Sequence, residues 1–233
     1  MDRVCRWFLS LGLVAVCAVG PVSAEGEPRF GIGVFVGLNV PVQGLAERYP
    51  TKQNFGLVFQ QRMSERVWLE FEYHRAGLSD GKIEDRTFIW SLDRKEYASP
   101  QAKSKFRLNS FLTNAVVRLG QWGSDTGLHF DPYLAVGAGF YDYQDEISGL
   151  VYPNQRREPL DTTLLLEPQV DDHTSLGATL GFGVTAISGT LGVDVRARYH
   201  FFDGDLRSME AWEIEDVFPI TFIDIYAALK VYF

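Results

Sequence analysis

Counting back from Phe233, every second residue is apolar: Val231, Leu229, Ala227, Ile225 and Ile223, with Lys230 and Asp224 among the residues between them. Strict period-two alternation predicts a β-strand with one apolar and one polar face. The pattern recurs upstream and is cleanest over residues 190–202. There Leu191, Val193, Val195, Ala197, Tyr199 and Phe201 alternate with Gly192, Asp194, Arg196, Arg198 and His200. Residues 174–187 set Leu176, Ala178, Leu180, Phe182 and Val184 against Gly177, Thr179, Gly181 and Gly183, and Ser188-Gly189 then reads as a hairpin turn. A first strand runs from Phe30 to Val40, with Phe30, Ile32, Val34, Val36, Leu38 and Val40 on one face and Gly31, Gly33, Gly37 and Asn39 on most of the other.

Four further strands complete the set. Residues 53–62 place Phe55, Leu57 and Phe59 opposite Gly56, Gln60 and Arg62; after a turn at Ser64-Glu65, residues 66–74 place Val67, Leu69, Phe71 and Tyr73 opposite Trp68, Glu70, Glu72 and His74. Residues 105–119 alternate least clearly. Asn114 and Arg118 define a polar face whose phase turns Arg107 and Asn109 to the apolar side, which implies either a bulge or an Arg107 that reaches polar surroundings. The fifth strand opens at Asp131-Pro132-Tyr133 and continues through Phe140. Eight strands result. The links near 63–65, 120–129 and 188–189 are short, and those near 41–52, 75–104, 144–172 and 203–216 are long, in strict alternation.

That alternation fits a closed antiparallel barrel with turns at one end and loops at the other. Composition decides which face is buried. After Ala24 no long uncharged apolar stretch occurs, 46% of the chain is hydrophobic and the mean hydropathy is −0.07, which excludes transmembrane helices but not a barrel, where only alternate residues meet lipid. Residues 1–24 read as a cleaved secretory signal: Arg3 and Arg6, the apolar run Trp7 to Gly20, then Val22-Ser23-Ala24 before Glu25. Cys5 and Cys17 both lie in that segment, so the remainder has no thiol to form a disulfide or bind a metal. The expectation is a short segment at 25–28 and a transmembrane barrel over 29–233 in a bacterial outer membrane. A soluble lipocalin-like barrel, which would bury Val231 and expose Lys230, is the main alternative; glycines and paired charges suit a crowded lumen better than a surface.

The stretch Pro132-Tyr133-Leu134-Ala135-Val136-Gly137-Ala138-Gly139-Phe140, with the glycine-rich first strand and the terminal aromatic Phe233, resembles the small outer-membrane β-barrel family, the class of the OmpA transmembrane domain, OmpX and OmpW. The resemblance covers the chain after the signal and implies architecture rather than activity. It implies that Phe233, Val231 and Leu229 form the signal read by the barrel-assembly machinery. No recognisable peptidoglycan-binding domain follows Phe233, which departs from the full-length OmpA arrangement.

The residues predicted to face the lumen include four acids and five bases: Arg62, Glu70, Glu72, Arg118, Asp194, Arg196, Arg198, Asp224 and Lys230. An eight-stranded barrel is just wide enough for side chains to fill, so these charges are expected to pair into an internal network. The functional alternative is a gated polar path. A wide pore is not expected, because that takes roughly 16 strands. His74 and His200 are predicted to point inward near the loop-end rim, with Glu72 beside the first. A hydrolase would need a serine in reach of such a histidine, and Tyr199-His200-Phe201-Phe202 lacks the His-x-Ser-Asn signature of outer-membrane lipid A deacylases. No catalytic residue, cofactor or metal site is assigned.

The loop at 203–216 carries six acids and only Arg207 as a base, a solvated surface or a weak cation site. The loop at 75–104 mixes charges with Phe88, Trp90 and Tyr97, which serve either a protein-binding surface or the loop's own packing. Phe30, Trp122, Phe130, Tyr199, Phe202, Trp212, Phe218 and Phe233 fit two interfacial aromatic girdles. The net charge of −8 argues against nucleic acid. The expected function is structural or surface-interacting: a plugged barrel among outer-membrane lipid and lipopolysaccharide that presents its loops to an extracellular protein or surface ligand. Transport of a small or hydrophobic solute is the first alternative and a lipid A-modifying enzyme the second.

Overall fold

The computed structural model describes residues 28–123 and 127–233; the predicted signal peptide at 1–24 lies outside the described residues. The strands are β1 (Phe30–Pro41), β2 (Lys52–Arg62), β3 (Val67–Ser79), β4 (Thr87–Ile89), β5 (Glu96–Ala98), β6 (Lys103–Arg118), β7 (Trp122–Gly123), β8 (His129–Ser148), β9 (Gln169–Ser188), β10 (Leu191–Phe202) and β11 (Ile220–Tyr232). Eight of them form one antiparallel sheet in the order β6-β3-β2-β1-β11-β10-β9-β8, and β6 pairs again with β8 to close it. The two-residue β7 adds to β8, and β4 with β5 makes a separate small hairpin. Closure leaves no edge strand among the eight.

Apolar β-branched, leucine and phenylalanine residues fill the outward positions, and glycine recurs inward. Gly56 shows why: a Cβ there would overlap the ring of Phe35, which stacks on Tyr226 of the neighbouring β11 at 4.5 Å. Gly189, at φ 59°, sits in the hairpin between β9 and β10, where the right-handed strand twist favours a turn with positive φ. A short helix α1 (Gly44–Arg48) lies in the connection between β1 and β2.

Of the two alternatives for residues 105–119 the bulge is ruled out: the register against β3 and β8 is continuous, and Arg107 and Asn109 face outward. One sequence expectation is corrected here. The strands run further at the loop end than the alternation suggested, with β3 reaching Ser79, β6 starting at Lys103, and β8 and β9 extending to Ser148 and back from Gln169. Their outward residues there, among them Lys103, Lys105, Asp142, Glu146 and Asp172, are polar, so this part of the wall stands clear of the apolar band.

Candidate functional site

The outer wall carries a continuous apolar band. Val36 is 61% exposed, Leu180 64% and Phe182 65%, with Ile32, Phe55, Leu57, Leu134, Val195 and Leu229 also open. The interior inverts this: Glu70, His74, Asn114, Asp194, His200 and Asp224 are fully buried, and Arg196, Arg198 and Lys230 nearly so. In a water-soluble barrel the gradient would run the other way; exposing this much contiguous apolar surface to water is untenable for a monomer. This is an eight-stranded transmembrane β-barrel.

Solved structures of that type are similar in form. Ail, the attachment invasion locus protein of Yersinia pestis, is 12% identical, with 89% of this chain and 99% of that one covered at a TM-score of 0.44. Neisserial surface protein A is 14% identical over 90% and 100%, with a TM-score of 0.45. The N-terminal β-barrel domain of Pseudomonas aeruginosa OprF is 11% identical over 88% and 99%, with a TM-score of 0.40. No family model and no curated protein sequence matches the chain.

Inside the barrel, charged residues from β3, β10 and β11 meet across the lumen. Arg196 and Glu70 form a two-pronged pair, with Arg196 Nη2 donating to Glu70 Oε2 at 2.8 Å. Arg198 grips Glu72 in the same way, its Nη1 at 2.9 Å. Lys230 Nζ donates to Asp194 Oδ2 at 2.7 Å and lies 3.7 Å from Glu70, while Arg196 Nη2 is 3.4 Å from Asp194. Neutral groups complete the shell: Gln60 and Asn114 donate to Glu70 at 2.6 and 3.2 Å. The Tyr133 hydroxyl donates to Asp194 at 2.6 Å and accepts from Arg196 Nε at 2.7 Å. A buried ion pair offsets its desolvation only when the remaining donors and acceptors are satisfied, as they are around Glu70.

The other three predicted lumen charges lie elsewhere. Asp224 accepts from Asn54 at 2.7 Å and faces His200 and His74 at 3.0 and 3.4 Å. Arg118 pairs with Asp131 at 3.0 Å near the turn end, and Arg62 donates to the Ser64 carbonyl at 3.2 Å at that rim. The two histidines are not rim residues. Both are fully buried; His200 stacks on Phe222 at 4.3 Å and His74 lies tilted to it at 6.2 Å, and the carboxylate near His74 is Asp224, since Glu72 is taken by Arg198. Ser110 stands opposite His74 in the sheet register, but its Oγ makes no hydrogen bond and the whole group is sealed from solvent.

Gln60 and Asn114 lie on the inward faces that the alternation predicts for β2 and β6, and the same period on β8 is the signal that points to Asp131 and Tyr133. Gly183 belongs to the same arrangement. A Cβ there would overlap the Tyr133 hydroxyl and stand 2.7 Å from the Val195 carbonyl. Gly183→Ala is therefore expected to lower stability by about 1–3 kcal/mol through overpacking, read as an earlier urea midpoint of the folded barrel.

The loop end is closed by apolar side chains. Leu45 and Tyr49 from the first connection, Leu78, Phe106, Leu108, Tyr141 and Tyr143 from the extended strands, and Leu206, Val217 and Phe222 form one buried cluster. Arg48 ties it together, donating to the carbonyls of Leu206 and Glu215 at 3.2 and 2.7 Å and lying 3.6 Å from Asp145. Asp145 sits above the apolar band; burial pushes its carboxyl up to about 6, against the pull of the Tyr49 hydroxyl and Arg48.

Beyond this cluster lies a second core built from three connections. Ile83, Phe88, Trp90 and Ala102 from one, Leu150 and Val151 from the next, and Met209, Trp212 and Ile214 from the last pack together with Ile147. Phe88 meets Trp212 edge-on at 5.6 Å, and Trp90 Nε1 donates to the Gln155 carbonyl at 3.0 Å. Phe88 and Trp90 are thus the loops' own packing rather than an exposed binding surface. Two girdle assignments also change. Trp212 belongs to this loop core and Phe202 points into the barrel, both buried, whereas Trp122, Phe130, Tyr199 and Phe218 are open. Among the described residues no group of acids and histidines is arranged to hold a metal ion, the acidic 203–216 loop included.

Proposed function

We propose that the protein is an outer-membrane surface protein whose barrel anchors a preformed headpiece and whose lumen does not conduct. The observation that carries this reading is the second core. Three connections bury aromatic residues against one another above the barrel, giving a shaped surface rather than mobile loops. A preordered surface loses little entropy on binding a partner. The partner class is an extracellular protein or surface ligand. The cleaved signal at 1–24 accounts for export, and Phe233, Val231 and Leu229, the last two outward and exposed, suit recognition by the barrel-assembly machinery.

Lipid contact is the second part of the proposal. Arg75, Lys103, Lys105 and Arg107 stand exposed on the outer faces of β3 and β6, just beyond Tyr73 and Phe111 of the apolar band. That height suits the phosphate groups of lipopolysaccharide, which charge-assisted hydrogen bonds from arginine and lysine would hold.

A narrow path for protons or small solutes is the second reading, and one observation favours it. Asn39, Asn54, His74, Ser110 and Asp224 carry buried polar atoms that make no hydrogen bond to the protein, which implies enclosed water. Planar-bilayer recording separates the two readings, with heat-modifiable gel mobility confirming that the protein is folded. We expect folded protein to be silent. Steady channels whose conductance changes when Glu72 or Arg196 is neutralised would make the lumen the functional site and end the surface reading.

A further inference from the structure

Six acids are buried among the described residues: Glu70, Glu72, Asp131, Asp145, Asp194 and Asp224. The first five each have an arginine or lysine within ion-pair distance, in turn Arg196, Arg198, Arg118, Arg48 and Lys230. Asp224 has only histidines. Arg198 stands opposite it in the register of β10 and β11, but that guanidinium is spent elsewhere. Both terminal nitrogens go to Glu72, and Nε donates to His200 Nε2 at 3.0 Å. The rest of the central network balances without Asp224, with Glu70, Glu72 and Asp194 set against Arg196, Arg198 and Lys230. An ionised Asp224 would be one fully buried negative charge in excess, which enclosed water can solvate but not cancel.

His200 shows where a compensating proton resides. Its Nε2 accepts the Arg198 N–H and so carries no proton, which leaves Nδ1 to donate to the Tyr141 hydroxyl at 2.9 Å. His200 is therefore neutral. Asp224 Oδ2 lies 3.0 Å from that same Nε2 and makes no hydrogen bond to the protein. With no proton on the oxygen, two electron-rich atoms would face each other at this distance. His74 is a poorer host for the proton. Neither of its ring nitrogens makes a hydrogen bond, and the rings of Phe35 and Phe222 lie 5.8 and 6.2 Å from its own. An imidazolium there would bury two unsatisfied donors.

No other element brings a free cation to this level. On β2, Asn54 donates to Asp224 Oδ1 at 2.7 Å, and Lys52 is turned to Asp80 at 2.7 Å. Asn39 of β1 stands opposite Asp224, Ser110 of β6 opposite His74, and Thr179 of β9 opposite His200. Glu72, Tyr141 and Tyr226 are the remaining titratable neighbours, and none of them is a cation.

We propose that the lumen binds one proton at Asp224, which stays a neutral acid between His74 and His200 in the folded barrel at neutral pH. That proton completes the charge balance and leaves no net charge inside to draw in a counter-ion. An aspartate in the unfolded chain ionises at about pH 3.9, so folding at neutral pH takes this proton up from solution. The site lies within the barrel and is independent of what the headpiece binds.

The test is infrared spectroscopy of the refolded protein in detergent micelles at about pH 8, where exposed carboxyls are ionised. A neutral carboxylic acid shows its carbonyl stretch above the amide band, and a carboxylate shows nothing there. The expected result is one such band, which moves when aspartate carries ¹³C in its side-chain carboxyl and is missing from Asp224→Asn. The amide has nearly the shape of the neutral acid, so this variant should fold. Urea unfolding of the parent supplies a readout that needs no variant. Between about pH 7.5 and 8.5 unfolded histidines are already neutral, and the folded state holds one proton more than the unfolded state. Stability then falls as pH rises, and the unfolding constant should grow about tenfold over that unit, a dependence that Asp224→Asn removes. A folded parent without the band would overturn the proposal, as would a band that survives in Asp224→Asn. An unfolding constant of the parent that does not move with pH would overturn it equally.

Discussion

Glu72→Ala is expected to lower the stability of the barrel by about 3–5 kcal/mol, more than any other single removal from the lumen network. Arg198 is 1% exposed and Glu72 holds both of its terminal nitrogens; its Nε reaches only the ring nitrogen of His200 at 3.0 Å. With Glu72 gone, a buried guanidinium keeps no carboxylate within ion-pair distance. Glu70→Ala should cost less although Glu70 has more partners. Arg196 would retain Asp194 at 3.4 Å and Lys230 would retain it at 2.7 Å, so neither cation is stranded. Removing both ends in Glu72→Ala/Arg198→Met should recover most of the loss, since an apolar pair of similar volume is often tolerated where a lone charge is not. Urea unfolding in micelles, followed by gel mobility and tryptophan fluorescence, gives the order. A Glu72→Ala midpoint equal to that of the parent, or later than that of Glu70→Ala, would show that water reaches Arg198 and that the lumen is not dry at this level.

That contrast turns on partners that no single stretch of the chain reveals. Alternation placed Glu70, Glu72, Arg196 and Arg198 on inward faces, because period two assigns a face to every residue of a strand. It could not say that Glu72 takes Arg198 and Glu70 takes Arg196, pairs separated by 126 positions. Which residues meet depends on shear around the closed sheet, and shear follows from registers that are set pair by pair. The same limit explains Asp224. It lies on β11 in phase with Lys230, yet it faces two histidines and Asn54 rather than a cation.

Strand length was under-read for a related reason. Hydrophobic contrast marks only the part of a strand that meets lipid. Above Phe140 on β8 the outward face turns polar at Asp142, Gln144 and Glu146 while Tyr141, Tyr143 and Ile147 face in, and before Leu176 on β9 polar residues occupy both faces. The lipid-facing phase therefore ends although the ladder continues residue for residue from Tyr141–Ser175 to Ile147–Gln169. Phe201-Phe202 hides its phase because both residues are aromatic. The connections have no period at all, so nothing in the order of residues marked Trp212 as core rather than girdle.

Trp212→Ala should unfold the headpiece while the barrel remains intact. Trp212 is 3% exposed and packs on Phe88 within a cluster drawn from three connections. Truncating a buried tryptophan typically costs about 3–5 kcal/mol, and a core of this size has little more than that to lose. The barrel draws its stability from other groups, namely the ladder of eight strands and the lumen network, neither of which includes Trp212. Limited trypsin digestion would show new cuts after Arg156, Arg157 and Arg207, while heat-modifiable mobility and the urea midpoint of the barrel stay near those of the parent. An equal fall in both would mean that the headpiece and barrel fold as one unit. The cluster around Leu45, Tyr49 and Phe222 decides between these outcomes, because Arg48 joins the first connection to the last through the carbonyls of Leu206 and Glu215. Those bonds lie below Trp212 and survive its removal, so the lumen should stay capped after the headpiece above it has loosened.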